Sequence, residues 1–434
     1  MSPHVPASTP AAVPAVRPAV VLLGVLALAV NLRAALAAYP PLLETVRDEL
    51  GISSGAAGLV QAGAVLMMAA GSFVGPALGA RFGRKPALGG AVGLVALGSA
   101  VRGWAVLPAL IGGSLLLGLG IGVAGVLLTG VVKNHLGSRA GAATGGYVVA
   151  MMIGATVSSA VTVPVAVALG GWSFSLAIWT VPAVLAVAVW TPIARRIGRP
   201  DRAEARSGLP WRTGFARLVA AYQAGTSLMF YGWLTWLAPY YEGQGWRPER
   251  AGLLLAVWSV AQIPAALLAP AMAERRRRWR FWAGLTLACG LAGTLGALLL
   301  PQPPVVGPWL WAALMGIGVG AGFPLGLTVI AWRTPDGSTS AATSGLALGV
   351  GYTVAGLGPL LMGLLIDATG YPAAIVVLLL AGAVQGVAIW RIGDRPAAED
   401  PGGTRPGDRA SRRRSAYGPG LVPPFSSRAE RRSA

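Results

Sequence analysis

The sequence predicts an all-α membrane protein in which twelve transmembrane helices form two homologous six-helix halves, and three observations support this prediction. Apolar stretches of about 20 residues, long enough to cross a bilayer core, recur along the chain of 434 residues. Arginine and lysine fall mainly in alternate connectors between these stretches. Short motifs of the first half return in the second half after 194 to 205 residues.

Composition excludes an ordinary soluble protein. Hydrophobic residues make up 55% of the chain and charged residues only 11%, against about a quarter charged in soluble domains, and the mean hydropathy is +0.65. The net charge of +19 does not indicate a nucleic-acid partner, because the arginines lie between apolar stretches rather than on one patterned face. Cys289 is the single cysteine, which excludes an internal disulfide.

The apolar stretches are separated by turn-forming and charged connectors such as "RFGRKP", "GSRAG", "PQPP" and "TPDGS". We predict helices at residues 18–43, 55–79, 86–101, 108–132, 140–168, 174–193, 214–238, 251–273, 281–300, 308–332, 341–366 and 373–391.

The long polar segment 194–213 is predicted to be a cytoplasmic loop that divides an N-terminal half, 18–193, from a C-terminal half, 214–392. Residues 1–17 are predicted to form a short cytoplasmic tail, and the apolar stretch that follows exceeds a signal-peptide core, so we expect an uncleaved first membrane helix. The tail 393–434 is rich in Pro, Gly, Arg and Ser and is predicted to be disordered.

Orientation follows from the basic residues. With the N-terminus in the cytoplasm, inner connectors, tails and helix ends carry 29 of the 34 basic residues, and outer connectors carry four: Arg47, Arg102, Arg247 and Arg250. The positive-inside bias therefore predicts a multi-pass protein of the inner (plasma) membrane with both termini cytoplasmic.

The internal repeat indicates how the halves are related. "AGL" at 57–59 returns at 251–253, "GIGV" at 120–123 returns at 316–319, and Gly146-Tyr147 returns as Gly351-Tyr352. Two parallel six-helix repeats are typical of transporters that bind their substrate between the halves, near the middle of the membrane.

Several motifs resemble those of the cyanate and 2-nitroimidazole transporter family of the major facilitator superfamily. The resemblance spans residues 20–392 and rests on "NLRAAL", "GARFGRK", "GLGIGVAGVLLTGVVKNHL", "TWLAPYYEGQGWRPERAGLLLAVWSVAQIPAALLAP", "GIGVGAGFPLGLTVI" and "GVGYTVAGLGPLLMGLLIDATG". It implies the major facilitator fold and alternating access between the halves.

The same resemblance implies a gating role for charged residues at the inner ends of the second and eighth helices, namely Arg81, Arg84, Lys85 and Glu274. The superfamily loop usually has an acidic residue where this chain has Ala80. The alternative is that these residues are only orientation signals.

Arg33 is the leading candidate for substrate binding. It is the only charged residue between Pro18 and Leu43, and an arginine at the centre of a membrane helix costs about 2.5–3.5 kcal/mol on insertion scales. No carboxylate is expected at its depth, since Glu44 and Asp367 lie at helix ends. We therefore expect Arg33 to bind an anion, with hydrogen bonds to neighbouring helices as the structural alternative.

Aromatic and amide side chains at helical spacing form a second group of candidates, each weighed against simple packing: Tyr147 and Met151, Gln223 and Tyr231, Trp258 and Gln262, Tyr352, and Gln61. Asn31 lies about 200° around the helix from Arg33. We expect Asn31 to bond to an adjacent helix, with direct substrate contact as the alternative.

These observations predict a secondary or facilitative transporter of a small polar or anionic solute, such as a cyanate-like anion, a small carboxylate or a nitro compound. Export of drug-like compounds is the first alternative, and a non-transporting receptor or scaffold is a remote one. We expect a monomer in the lipid bilayer that is not an enzyme and uses no cofactor or metal, because the chain has two histidines and no nucleotide-binding or metal motif. Coupling to protons stays open.

Overall fold

The computed structural model describes residues 17–136, 140–197, 211–334 and 337–393, and these residues contain helices and turns but no strand. The predicted N-terminal tail up to residue 16, residues 198–210 of the predicted central loop and the predicted tail from residue 394 lie outside the described residues.

Fourteen α-helices occur in the described part of the chain. They are α1 Pro18–Ala37, α2 Leu43–Leu50, α3 Ser54–Phe82, α4 Arg84–Val101, α5 Leu107–Leu136, α6 Ala140–Leu169, α7 Trp172–Ala177, α8 Thr180–Arg196, α9 Gly214–Glu242, α10 Pro248–Arg276, α11 Trp279–Leu299, α12 Trp309–Arg333, α13 Gly337–Thr369 and α14 Tyr371–Ile392.

Ten segments of the described chain are long and apolar enough to cross a membrane, with α7 and α8 forming one of them. Helices α4 and α9 are the other two of the twelve predicted membrane helices. The predicted all-α fold of two six-helix halves is confirmed. We refer to α1–α8 as the N-terminal half and to α9–α14 as the C-terminal half, as the sequence predicts.

The first apolar stretch is broken earlier than predicted. Helix α1 ends at Ala37, and Pro40 begins a short 3-10 turn that leads into α2. Proline restricts the residue before it and cannot donate within a helix, so the Pro40-Pro41 pair separates α1 from α2. Arg33 consequently lies in the last turn and a half of α1 rather than at the centre of one long helix.

The C-terminal end of α1 is held by side chains from other helices. Ser158 of α6 donates to the Ala34 carbonyl at 2.7 Å, and Arg102, just after α4, donates to the Ala35 carbonyl at 2.9 Å. The Arg102 bond satisfies a carbonyl in the last turn of the helix, and the Ser158 hydroxyl is a second donor to the Ala34 carbonyl, which also accepts from the Ala38 N–H at 3.1 Å. A Cβ at Gly154 would lie 2.1 Å from the Val30 oxygen, so only glycine allows α6 to pack this closely on α1.

The two halves meet along two helix pairs, α3 with α13 and α6 with α10. The first pair packs closely where a Cβ at Gly363 would lie 2.4 Å from the Ser54 oxygen. Gly363 and Ser54 lie at the end of the bundle that carries α2 and the turn between α13 and α14, which we call the α2 end.

Candidate functional site

Arg33 faces the C-terminal half across the interface between the halves. Its side chain is partly buried, and its Cζ lies 4.6 Å from the ring centroid of Phe230 on α9. Within the described residues the guanidinium has neither a hydrogen bond nor an ion pair, and its other electrostatic neighbours are the phenols of Tyr231 and Tyr352. The five N–H donors of a partly buried cation are therefore available to a ligand.

The rings next to Arg33 form an aromatic cluster, defined here as Phe230, Tyr231, Trp258 and Tyr352. Ring centroids lie 4.9 Å apart for Phe230 and Tyr231, 5.1 Å for Phe230 and Trp258, and 6.4 Å for Tyr231 and Tyr352. Three helices of the C-terminal half, α9, α10 and α13, supply these rings, whereas Arg33 belongs to the N-terminal half. The cluster thus brings three predicted binding residues, Tyr231, Trp258 and Tyr352, to Arg33.

The cluster lies near the middle of the bundle. The Tyr231 hydroxyl is 3.9 Å from the Met68 sulfur, and Met68 is 14 residues from each end of α3. Tyr352 is likewise close to the centre of α13. Although Arg33 is near the end of α1, its surroundings are therefore the middle portions of the longer helices.

Helix α6 contributes Tyr147, a buried residue that is an electrostatic neighbour of Tyr352. Met151 lies one turn further along the same face and is partly buried. Continuing along this face, Gly154 and Ser158 pack on α1. One face of α6 thus contacts both the aromatic cluster and α1. Tyr147 is directed toward the cluster, and Gly154 and Ser158 hold the helix that carries Arg33.

The predicted amides are buried but are not gathered around Arg33. Gln262 donates to the Trp258 carbonyl at 3.3 Å, and Gln223 donates to the Ser227 hydroxyl at 3.5 Å, so both bond within their own helices. Gln61 is 2% exposed, and its amide nitrogen has no acceptor among the described residues. The Trp258 side chain is 1% exposed, and its indole nitrogen likewise has no acceptor among the described residues.

The expectation that Asn31 bonds to an adjacent helix is wrong. Its amide nitrogen donates to the Ala27 carbonyl at 2.8 Å within α1. This partner is one turn back on the same helix, where a short amide can reach without a neighbour.

Sequence reasoning missed Phe230, Met68 and Arg102. Phe230 precedes Tyr231 and is about 100° from it around α9, so helical spacing did not place both rings in one site. Met68 shares a face of α3 with Gln61, seven residues earlier, and this spacing could have indicated it.

Arg102 was assigned to an outer connector, yet it is only 2% exposed. Its guanidinium lies 5.7 Å from the Tyr39 ring centroid and bonds to the Ala35 carbonyl. The cation therefore lies against the carbonyl end of α1, where the helix dipole favours positive charge.

The predicted gating residues are dispersed at the end of the bundle opposite to α2. Lys85 is buried and donates to the Ile197 carbonyl at the end of α8. Arg84 packs against Gly130 of α5, and exposed Arg81 lies over the neighbouring Phe82 ring at 5.3 Å. Glu274 is exposed and forms no ion pair with the described residues. The three basic residues thus contact the N-terminal half and do not reach Glu274.

At the α2 end a charged contact joins the halves. The Asp367 carboxylate, near the end of α13, accepts hydrogen bonds from the backbone N–H groups of Ser54 at 2.9 Å and Gly55 at 2.7 Å. These groups begin α3, where unpaired N–H donors and the helix dipole favour an anion. Nearby, the Tyr371 hydroxyl donates to Glu44 at 3.5 Å, again between the halves. Asp367 therefore caps a helix of the opposite half.

Two six-helix halves that pack along two helix pairs are the architecture of a polytopic membrane transporter. A family model described as Major Facilitator Superfamily matches residues 21–313 and 251–429. The chain belongs to this superfamily, and it is not an enzyme.

Relatives with similar sequences cover most of the chain. It is 30% identical over 371 residues to the uncharacterized transporter YycB of Bacillus subtilis (strain 168), covering 85% of this chain and 92% of that one. Identity is also 30% over 355 residues with the 2-nitroimidazole transporter of Escherichia coli (strain K12), covering 81% and 89%. The cyanate transport protein CynX of the same organism is 29% identical over 360 residues, covering 81% and 91%.

Solved structures agree in fold. The inward-open xylose transporter XylE from E. coli matches with a TM-score of 0.67 at 14% identity, covering 87% of this chain and 96% of that one. An inward-facing bacterial homolog of the human lysosomal transporter Spinster matches with a TM-score of 0.69 at 15% identity, covering 87% and 98%.

The contact of Arg102 with α1 generates a stability prediction. Arg102→Ala leaves the Ala35 carbonyl without its donor and opens a cavity, so we expect a loss of about 2–4 kcal/mol of stability and a lower unfolding temperature in detergent. Arg250→Ala is the matched control, because Arg250 also lies over a ring, that of Trp246 at 4.3 Å, but is exposed. Equal unfolding temperatures for the two variants would contradict a structural role for Arg102.

Proposed function

We propose that this protein carries a small anionic solute across the membrane by alternating access, with Arg33 as the group that binds the negative charge. The observation that carries the proposal is the Arg33 guanidinium, which is partly buried between the halves and has no hydrogen bond or ion pair among the described residues. A cation inside a membrane protein is costly unless a partner compensates its charge. A transported anion supplies that compensation while it is bound.

The position of Arg33 suits alternating access. The cation is on α1 of the N-terminal half, and the rings that face it are on α9, α10 and α13 of the C-terminal half. Binding sites at such an interface become accessible to one side or the other as the halves rock. An anion held by Arg33 would therefore contact both halves in the occluded state.

The names of the relatives are compatible with this chemistry. Cyanate, the cargo named for one of them, is a small anion, and 2-nitroimidazole is a planar polar ring. Both would fit a guanidinium surrounded by aromatic residues.

We propose that the protein lies in the inner membrane with both termini in the cytoplasm, which the distribution of arginine and lysine supports. The α2 end is then periplasmic, and the contacts of Asp367 and Tyr371 across the interface form a closed periplasmic gate. Arg81, Arg84, Lys85 and Glu274 would face the cytoplasm, where we propose that they make their gating contacts in the opposite state.

The aromatic cluster favours a second candidate, the export of ring-bearing compounds without charge. Such compounds would bind to the rings without using the Arg33 charge. The substitution of Arg33 separates the two candidates.

For the anion-binding role, we predict that Arg33→Gln abolishes anion transport, because a neutral amide cannot balance a desolvated anion. Loss of one partner of a buried charge pair costs about 2–5 kcal/mol, a fall in affinity of roughly 30-fold or more. The measurement is uptake of radiolabelled cyanate, acetate and benzoate into proteoliposomes that contain the full chain. Arg250→Gln is the control, since Arg250 also lies over an aromatic ring but is at the α2 end. Undiminished uptake by Arg33→Gln would refute the role, and uptake of neutral drugs alone would favour the second candidate.

For the gate, we predict that Asp367→Asn shifts the protein toward the state that is open at the α2 end, because the cap on α3 loses its charge. Spin labels at Glu49→Cys and Thr369→Cys, on opposite halves, report this opening as a longer interlabel distance in a Cys289→Ala background. Asp48→Asn removes an exposed carboxylate at the same end and should leave the distances unchanged. Identical distance distributions for Asp367→Asn and Asp48→Asn would show that Asp367 does not hold the gate.

A further inference from the structure

The Phe230 ring beside the Arg33 guanidinium restricts how an anion can reach it. Phe230 covers the cation at 4.6 Å from the ring centroid. A guanidinium that stacks on a ring keeps its in-plane N–H donors directed to the side, and those donors form the paired hydrogen bonds that a carboxylate accepts. Phe230 occupies one side of the cation and leaves the N–H donors that point away from the ring available, so Phe230 and a carboxylate can contact Arg33 at the same time.

The groups around Arg33 on the C-terminal half are mostly rings. Phe230, Tyr231, Trp258 and Tyr352 form a continuous chain of ring contacts between 4.9 and 6.4 Å. The amides Gln223 and Gln262 are bonded within their own helices instead. A solute bound to Arg33 would therefore meet aromatic walls, and offset or edge-to-face ring packing would stabilise a flat ring there.

Three phenol hydroxyls lie near these rings and make few hydrogen bonds to the described residues. The Tyr231 hydroxyl has only the Met68 sulfur, a weak acceptor at 3.9 Å. Within the described residues, the hydroxyls of Tyr147 and Tyr352 have no hydrogen-bond partner, although the two residues are electrostatic neighbours. Phenol groups left in this way can bond to polar substituents on a ring.

We infer, building on the proposed anion transport, that the solute is a planar aromatic monocarboxylate and that Phe230 is a positioning residue that selects for it. The carboxylate binds the N–H donors of Arg33, and the ring lies among Phe230, Tyr231 and Tyr352. A small linear anion would satisfy Arg33 but would leave the aromatic walls unoccupied. A solute with one carboxylate and one ring would contact both Arg33 and the aromatic cluster.

The test compares carboxylates that differ only in the ring. Binding of benzoate, cyclohexanecarboxylate and acetate to the purified full chain is measured by calorimetry in lipid nanodiscs. Benzoate is expected to bind about 10-fold or more tightly than cyclohexanecarboxylate, which has the same charge and similar size but is not flat. This factor is the scale of one favourable ring or cation–π contact.

Phe230→Leu is expected to weaken benzoate binding about 10-fold and to change acetate binding by less than about 3-fold, since only benzoate loses a ring contact. Phe230→Tyr keeps the ring and should restore benzoate affinity, which a general packing defect in Phe230→Leu would not explain. Phe215→Leu is the matched control, because Arg333 lies over the Phe215 ring at 5.5 Å in the first turn of α9, away from the cluster.

The outcomes separate the two proposals. Equal affinity for benzoate and cyclohexanecarboxylate, or equal weakening of benzoate and acetate by Phe230→Leu, would overturn the aromatic inference and leave anion transport standing. Carboxylate binding that is unaffected by Arg33→Gln would overturn both proposals. Absence of carboxylate binding together with Arg33-dependent cyanate uptake would overturn the aromatic inference alone. If Phe230→Leu does not fold, the comparison of the three carboxylates on the unaltered chain decides the question.

Discussion

The constraint on which the site depends is a positive charge inside the membrane that no carboxylate of the described residues neutralises. A guanidinium at such a depth costs about 2.5–3.5 kcal/mol on insertion scales, and Arg33 reduces this cost only by lying over the Phe230 ring and near two phenols. The chain holds the cation in place through α1, whose last carbonyls are bonded by Ser158 and Arg102. The fold thus fixes the helix firmly while it leaves the charge available.

Arg102 and Arg33 show how the surroundings of an arginine affect its role. Arg102 is almost fully buried and donates to a backbone carbonyl at the end of α1, where the helix dipole compensates its charge. Arg33 has neither a carbonyl nor a carboxylate as a partner among the described residues, and it lies at the interface between the two halves. The first arginine therefore stabilises the fold, and the second is suited to a ligand that comes and goes.

The sequence predicts the features that depend on local pattern, and it does not reveal those that depend on contacts between distant residues. Apolar length and connector chemistry determine the helices, so their number and order were accessible, as were Arg33, Tyr231, Trp258 and Tyr352. The Pro40-Pro41 pair that separates α1 from α2 is visible in the sequence, although the apolar pattern predicts one helix over residues 18–43. Phe230 and Arg102 could not be placed, because ring packing and arginine burial depend on how helices approach each other. The Asp367 cap joins residues 313 positions apart, and no local pattern reveals it.

The central claim is that the Arg33 guanidinium itself binds the anion, and chemical protection tests it most directly. Phenylglyoxal, which modifies accessible arginines, is applied to the purified protein with and without benzoate or neutral benzamide, and adducts on each arginine are quantified by mass spectrometry. The account predicts that benzoate protects Arg33 in proportion to its occupancy, that benzamide does not, and that exposed Arg250 is modified equally in all samples. Equal modification of Arg33 with and without benzoate at saturating occupancy would contradict it.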